Sequence, residues 1–213
     1  MKKFGKLLIV LFIVFALCGC GKNVADKAVE KLSAKNDPKI SLGSWNENTY
    51  TNDFLGISYT MPDGWVRKTD EEILEDMELG AELIGNNSEL NKKIAELTSV
   101  TYFMTSDITT GNNIIVMSEK TYSSNITTDK YMDAVVKNIQ KVDTINYTIG
   151  ERKEETINGF KYESLDLSAV SDGITINQKY YVRKNGRYFI SVVVTSTNGT
   201  DSINEMISLI KQL

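Results

Sequence analysis

The sequence predicts an α+β fold: a mostly antiparallel β-sheet that ends in a four-strand meander and is covered by helices. Three observations lead to it. Between residues 147 and 196, four strand-like runs ("YTIGERKEETI", "FKYESLDLSAV", "ITINQKYYVRK", "RYFISVVVTS") are joined at Asn158-Gly159, Asp172-Gly173 and Asn185-Gly186. Asn-Gly and Asp-Gly are favoured two-residue hairpin turns because both positions accept positive φ, so each run folds back on the one before it. The last run is apolar in both phases, with Tyr188, Ile190, Val192 and Val194 against Phe189 and Val193. A strand of that kind is central and covered on both faces. Segments at 128–141 and 203–210 carry apolar residues at helical spacing and can supply the cover.

The 213-residue chain opens on Lys2, Lys3 and Lys6, with no acid, and continues into the apolar run Leu7–Cys18. A membrane-crossing helix needs about 20 apolar residues, so this run is too short. A basic start, a short apolar centre and small residues at its end describe a secretory signal peptide. The "LCGC" that closes it resembles the bacterial lipobox. That resemblance implies Leu17, Cys18 and Gly19 as the cleavage-recognition residues and Cys20 as the lipid acceptor. Cys18 stands where Ala or Ser is usual, and is still small. The lipobox resemblance further implies a diacylglycerol on the thioether and often a third acyl chain on the new amino terminus. Two or more chains make an anchor durable.

The two cysteines are the only ones, and the chain has no histidine. Two thiolates alone do not close a four-ligand zinc site. Once cleavage removes Cys18, the remaining thiol has no internal partner. The domain plan is therefore a signal peptide over 1–19, a lipid-anchored tether over 20–48 and one globular domain over 49–213. The tether is rich in Lys, Asp, Glu, Asn and Ser and contains Pro38; Val24, Ala28, Val29 and Leu32 allow a short marginal helix. As a flexible chain it reaches on the order of 30 Å.

The globular stretch is large enough for its own hydrophobic core. "TYTNDFLGISYTMPDGW" reads as two short strands, with Gly56 at the turn and Pro62-Asp63-Gly64 closing the second. "TDEEILEDMELGAELIG" is helical: Thr69 and Glu72 form a capping box, and Ile73, Met77, Ala81 and Ile84 share a face. A further helical piece runs through Leu90, Ile94 and Leu97. Strands follow at Ser99–Thr105 and Asn113–Lys120. The helix from Thr128 to Lys141 aligns Met132, Val135, Val136 and Ile139, and a final helix aligns Ile203, Met206, Ile207 and Ile210.

The residues Phe54, Gly56, Ile57, Tyr59, Pro62, Gly64 and Trp65, then helix, strands, meander, a "GRYFIS" strand and a last helix, are similar in order to the PsbP-like α/β/α sandwich. That family includes an extrinsic photosystem II subunit, a Ran-GTPase-binding import factor and many bacterial lipoproteins. The resemblance implies a binding or assembly module rather than an enzyme, and carries no active-site motif over to this chain.

Absence of histidine excludes Ser-His-Asp and Cys-His nucleophile systems. No Walker-type or G-x-G-x-x-G loop is present. Asp70, Glu71, Glu72, Glu75, Asp76, Glu78 and Glu82 cluster on one helix. They read as a solvated face suited to a helix N-terminus rather than a cation site. Tyr180, Tyr181, Tyr188, Phe189, Tyr59 and Trp65 read as packing residues rather than a stacking platform for sugars or a peptide. No catalytic, cofactor or metal residue is assigned. Loss of Lys2, Lys3 and Lys6 with the leader leaves 21 bases against 28 acids, a charge of −7. Such a body repels nucleic acid and anionic headgroups.

The function expected is a non-catalytic, lipid-anchored binding or accessory module on the extracytoplasmic face of the cell membrane. Its contacts are the membrane, through Cys20, and an envelope protein, with no nucleic acid. The alternatives are an envelope glycan hydrolase working through a carboxylate pair and a small solute-binding lipoprotein.

Overall fold

The computed structural model describes residues 39–83, 98–121 and 123–213. Leu17, Cys18, Gly19 and Cys20, the tether up to residue 38 and the helical piece through Leu90, Ile94 and Leu97 lie outside the described residues.

The meander is present as β7 (Tyr147–Ile157), β8 (Phe160–Ser171), β9 (Ile174–Asn185) and β10 (Tyr188–Ser196), each antiparallel to the next. In the first two turns both central residues have positive φ, 49° and 83° at Asn158-Gly159 and 51° and 79° at Asp172-Gly173. That is the type I′ requirement. The third turn is shifted by one residue from the sequence expectation. Asn185 stays in the ladder opposite Tyr188, and the turn residues are Gly186 and Arg187, of which only Gly186 has positive φ, 62°. Glycine at the first central position suits a type II′ turn, which does not require positive φ at the second.

Among the described residues seven further strands precede or follow: β1 (Ser44–Asn46), β2 (Thr49–Asn52), β3 (Ile57–Thr60), β4 (Trp65–Arg67), β5 (Ser99–Asp107), β6 (Asn113–Lys120) and β11 (Ile210–Gln212). The large sheet has the order β4-β5-β6-β10-β9-β8-β7, so β10 is its middle strand. All nine β10 residues are buried, as expected for a strand covered twice.

On one face, Phe189, Val193, Tyr180 and Leu165 meet α1 (Asp70–Leu83) through Ile73 and α2 (Thr128–Ile139) through Tyr131, Met132, Val135 and Ile139. On the other face, Ile190, Val192, Val194 and Tyr181 meet α3 (Thr200–Ile207) through Ile203, Met206 and Ile207. Beside α3 lies a second sheet, β1-β2-β3-β11, which contributes Tyr50, Ile57, Tyr59 and Ile210. The fold is thus the mostly antiparallel, helix-covered α+β arrangement, with a small sheet sharing the cover on one side.

Two further expectations change in detail. Ile210 does not continue α3; the helix is capped at Ser208, and Ile210 reaches the core from β11, opposite Tyr59. The acidic helix is not solvated throughout. Its capping box forms, with the Thr69 N–H donating to Glu72 Oε2 (2.8 Å) and the Glu72 N–H donating to Thr69 Oγ1 (3.3 Å). Asp70, Glu71, Glu72, Glu75 and Glu78 are exposed, but Asp76 is buried and takes a hydrogen-bonded ion pair from Lys68. Burial pushes its carboxyl above the ordinary value even against the Lys68 charge. Asp76 lies three residues from Ile73, so it falls on the core-facing side of the helix.

Candidate functional site

Paired structure begins before Thr49. Tyr50 Oη donates to the Leu42 carbonyl (2.7 Å) and Asn52 Nδ2 to the Ser41 carbonyl (2.9 Å), so two side chains of β2 hold the backbone that enters the domain. Asn52 Nδ2 also donates to Tyr50 Oη (2.7 Å). Trp45 closes the entry by packing on Tyr50 and Phe103, at ring separations of 5.3 and 5.7 Å, under the Arg67 guanidinium at 4.9 Å. Burial pushes the Tyr50 hydroxyl up to about 12, so it stays a neutral donor at physiological pH.

Gly43 is indispensable to this arrangement. Its φ is +70°, and a Cβ there would stand 2.5 Å from the Thr51 carbonyl oxygen and 2.5 Å from Tyr50 Oη. Gly43→Ala should therefore cost more than the ~1 kcal/mol of an ordinary glycine replacement. A urea midpoint within error of the parent would contradict this description of the entry.

At the opposite edge of the large sheet, polar side chains collect on β7, β8 and β9. Register puts Tyr162 opposite Glu155, and Asp166 opposite Lys179. Lys179 Nζ lies 2.6 Å from Glu155 Oε1 and 3.5 Å from Asp166 Oδ1. Ser164 Oγ donates to Glu155 Oε1 (2.6 Å), and Lys153 reaches Glu151 (3.4 Å) and Asp166 (3.9 Å). On the reverse face Arg152 is clasped by Glu163 (2.7 Å) and by Asp133 (2.7 Å) and Asp129 (3.1 Å) of α2. It also donates to the Asp129 carbonyl (2.8 Å), so this guanidinium ties the start of α2 to the sheet.

This geometry bears on the carboxylate-pair chemistry. A glycosidase acid must hold its proton near neutral pH, which takes a raised carboxyl and an unoccupied approach. Burial pushes Glu155 up, but the hydrogen bonds from Lys179 and Ser164 and the nearby lysine charges outweigh it and leave the carboxyl below its ordinary value. Glu163 is raised by burial, with Asp129 and Asp133 adding to it, yet Arg152 occupies its oxygen. These carboxylates are built to hold cations of the same chain.

A depressed carboxyl contributes stability that is present above its unfolded-state value and is lost as pH falls through the lower folded-state value. Glu155→Gln should therefore be less stable than the parent at pH 7, with the gap closing as pH drops below about 4. Parallel urea titrations at pH 7 and pH 3 check this; a gap that is constant with pH would contradict the pairing.

Sequence reasoning did not single out Glu119, which is 1% exposed. Its Oε2 accepts from Tyr131 Oη (2.9 Å), and the Tyr131 ring stacks on Phe189 at 4.2 Å and 8°. The one available signal was an acid inside the apolar strand "NIIVMSEK". The aromatics behave as packing residues. Tyr59, Tyr180, Tyr181, Tyr188 and Phe189 are buried, and alternation sends Tyr180 and Phe189 to one face and Tyr181 to the other. Lys179 and Arg152 were equally invisible, because their partners lie on other strands and on α2.

No protein-family model matches the chain, and no curated protein matches its sequence. Among the solved structures that resemble it are the following three. Cyanobacterial PsbP (CyanoP) from Synechocystis sp. PCC 6803 overlaps 81% of this chain and 99% of its own, at 13% identity and a TM-score of 0.50. LpqN of Mycobacterium tuberculosis, described as involved in cell envelope biogenesis, overlaps 73% of this chain and 82% of its own, at 15% identity and a TM-score of 0.40. A protein of Bacteroides thetaiotaomicron VPI-5482 overlaps 75% of this chain and 46% of its own, at 12% identity and a TM-score of 0.39. At such identities likeness speaks to architecture only. On the first of them, the domain has the PsbP-like fold.

Proposed function

We propose that the protein is a lipid-anchored accessory module of the bacterial cell envelope, attached through Cys20 on the extracytoplasmic face of the membrane and acting by contact with an envelope protein rather than by catalysis. The observation that carries this reading is the order Leu17-Cys18-Gly19-Cys20 directly behind a short apolar run and ahead of a polar stretch. Such a stretch sets the domain off from the lipid surface, and two or more acyl chains on one residue need no help from an acidic body to stay in the membrane. The pinned entry at Ser41 and Leu42 suits a tethered domain, because it fixes where the tether meets the body.

Cys20→Ala is the test. The variant should leave the membrane fraction or persist as uncleaved precursor, while Cys18→Ala should fractionate as the parent does. Mature-sized Cys20→Ala protein still sedimenting with membranes would refute the anchor.

A further inference from the structure

The eleven-residue β7 is the outermost strand of the large sheet, and among the described residues only β8 pairs with it. Its outer side presents backbone N–H and C=O groups in the arrangement that another strand completes. The bulge between Ile149 and Arg152 interrupts the ladder, after which Arg152–Ile157 pairs with β8 without a break. The tether meets the body at the other side: Trp45 of β1 packs on Phe103 of β5 and beneath Arg67 of β4. Six strand spacings of ~4.8 Å put β7 about 29 Å from β4. If the chain is held at the membrane through Cys20, this edge is the one farthest along the sheet from the point of attachment.

The charge of the edge is one-sided. The charged residues of β7 and the side chains ion-paired to them comprise seven carboxylates and three cations. The three cations, Arg152, Lys153 and Lys179, are each engaged by two or more of those carboxylates, and Glu154 stands exposed between them. A second copy of the chain is a poor complement. An antiparallel pair related by a two-fold axis normal to the sheet sets residues of equal parity opposite each other, and its centre falls on one residue. Centred on Arg152, Lys153 or Glu154, it sets that charge against itself; centred on Lys153, it also opposes Glu151 to Glu155. Like charges directly opposite are destabilising.

We propose that the outer edge of β7 receives an extended, lysine- or arginine-bearing segment of an envelope partner as an eighth strand of the large sheet. Main-chain hydrogen bonds supply the attachment, as in strand addition generally, and the carboxylate excess selects the sign of the incoming side chains. The proposal rests on the contact function above for its partner, but not on the anchor.

The experiment uses the full-length protein purified in detergent and a fluorescent nine-residue peptide alternating lysine and valine. Three controls accompany it: a glutamate-for-lysine analogue, a version N-methylated at alternate residues on the edge that faces β7, and the Glu154→Lys protein. The cationic peptide should bind at low salt and slow hydrogen exchange at β7 amides. N-methylation and Glu154→Lys should each weaken binding at least tenfold, and the acidic analogue should not bind. Equal binding of the N-methylated peptide would mean charge attraction without strand addition, and would overturn the proposal. So would an unaffected Glu154→Lys protein, absence of binding, or a β7-mediated dimer of the chain itself. Because peptide binding is read in detergent, its failure is distinct from failure of the Cys20→Ala fractionation.

Discussion

Val192→Asp should abolish cooperative folding. Val192 is the midpoint of β10, the middle strand of seven, and is 1% exposed. It is paired with Val116 on one side and Tyr181 on the other. An aspartate there either stays ionised without a partner or takes up a proton; both routes cost several kcal/mol. Total stability of a domain this size is about 5–15 kcal/mol, so one such substitution removes most or all of it. Val170→Asp supplies the control: Val170 lies on β8 of the same sheet but is 67% exposed. It should change stability by no more than about 0.5 kcal/mol. Circular dichroism and urea titration of the two variants distinguish them, and equal tolerance of both would contradict the central placement of β10.

Phe103→Ala should loosen the small sheet from the large one. The Phe103 ring stacks on Tyr59 at 4.7 Å and 11°, and meets Tyr50 at 4.9 Å and Trp45 at 5.7 Å edge-on. It is the one ring of β5 in contact with β1, β2 and β3 together. Truncating a buried phenylalanine costs about 3–5 kcal/mol, and lost aromatic pairs contribute to that figure. For a chain of this length the melting temperature should fall by roughly 6–20 °C. The emission of Trp45 should shift to the red as its contacts loosen, and Trp65→Phe in the background isolates that signal from the second tryptophan. A fall below about 3 °C would show that the two sheets do not depend on this cluster.

What the sequence disclosed and what it hid follow one physical division. The meander was legible because its determinants are local: Asn158-Gly159 and Asp172-Gly173 need nothing beyond themselves to turn the chain, and two-phase apolarity marks a strand covered twice whatever covers it. Gly186 shows the limit of that rule. Whether Asn185 is the first turn residue or the last paired one depends on how Asn185 and Tyr188 align across the hairpin.

The second sheet was hidden because its two outer strands, β1 and β11, are each three residues long and owe their existence to pairing with other segments, Ser44 with Thr51 and Ile210 with Tyr59. Three residues carry too little periodicity to read. The same holds at the candidate sites. Asp76 looked like its solvated neighbours until Lys68 and the packing of α1 removed it from water. The Lys179 and Arg152 clusters draw on three separate elements each, which only the folded topology brings together.

Intact-mass and tandem mass spectrometry of the protein recovered from membranes of the producing bacterium tests the lipid anchor at Cys20. The expected species is a mature chain that begins at Cys20, lacks residues 1–19, and carries a diacylglyceryl thioether on that cysteine, with a further acyl chain on its amino group where the host adds one. A chain that retains Met1 to Gly19, or one whose first residue is an unmodified Cys20 or any other residue, would contradict it.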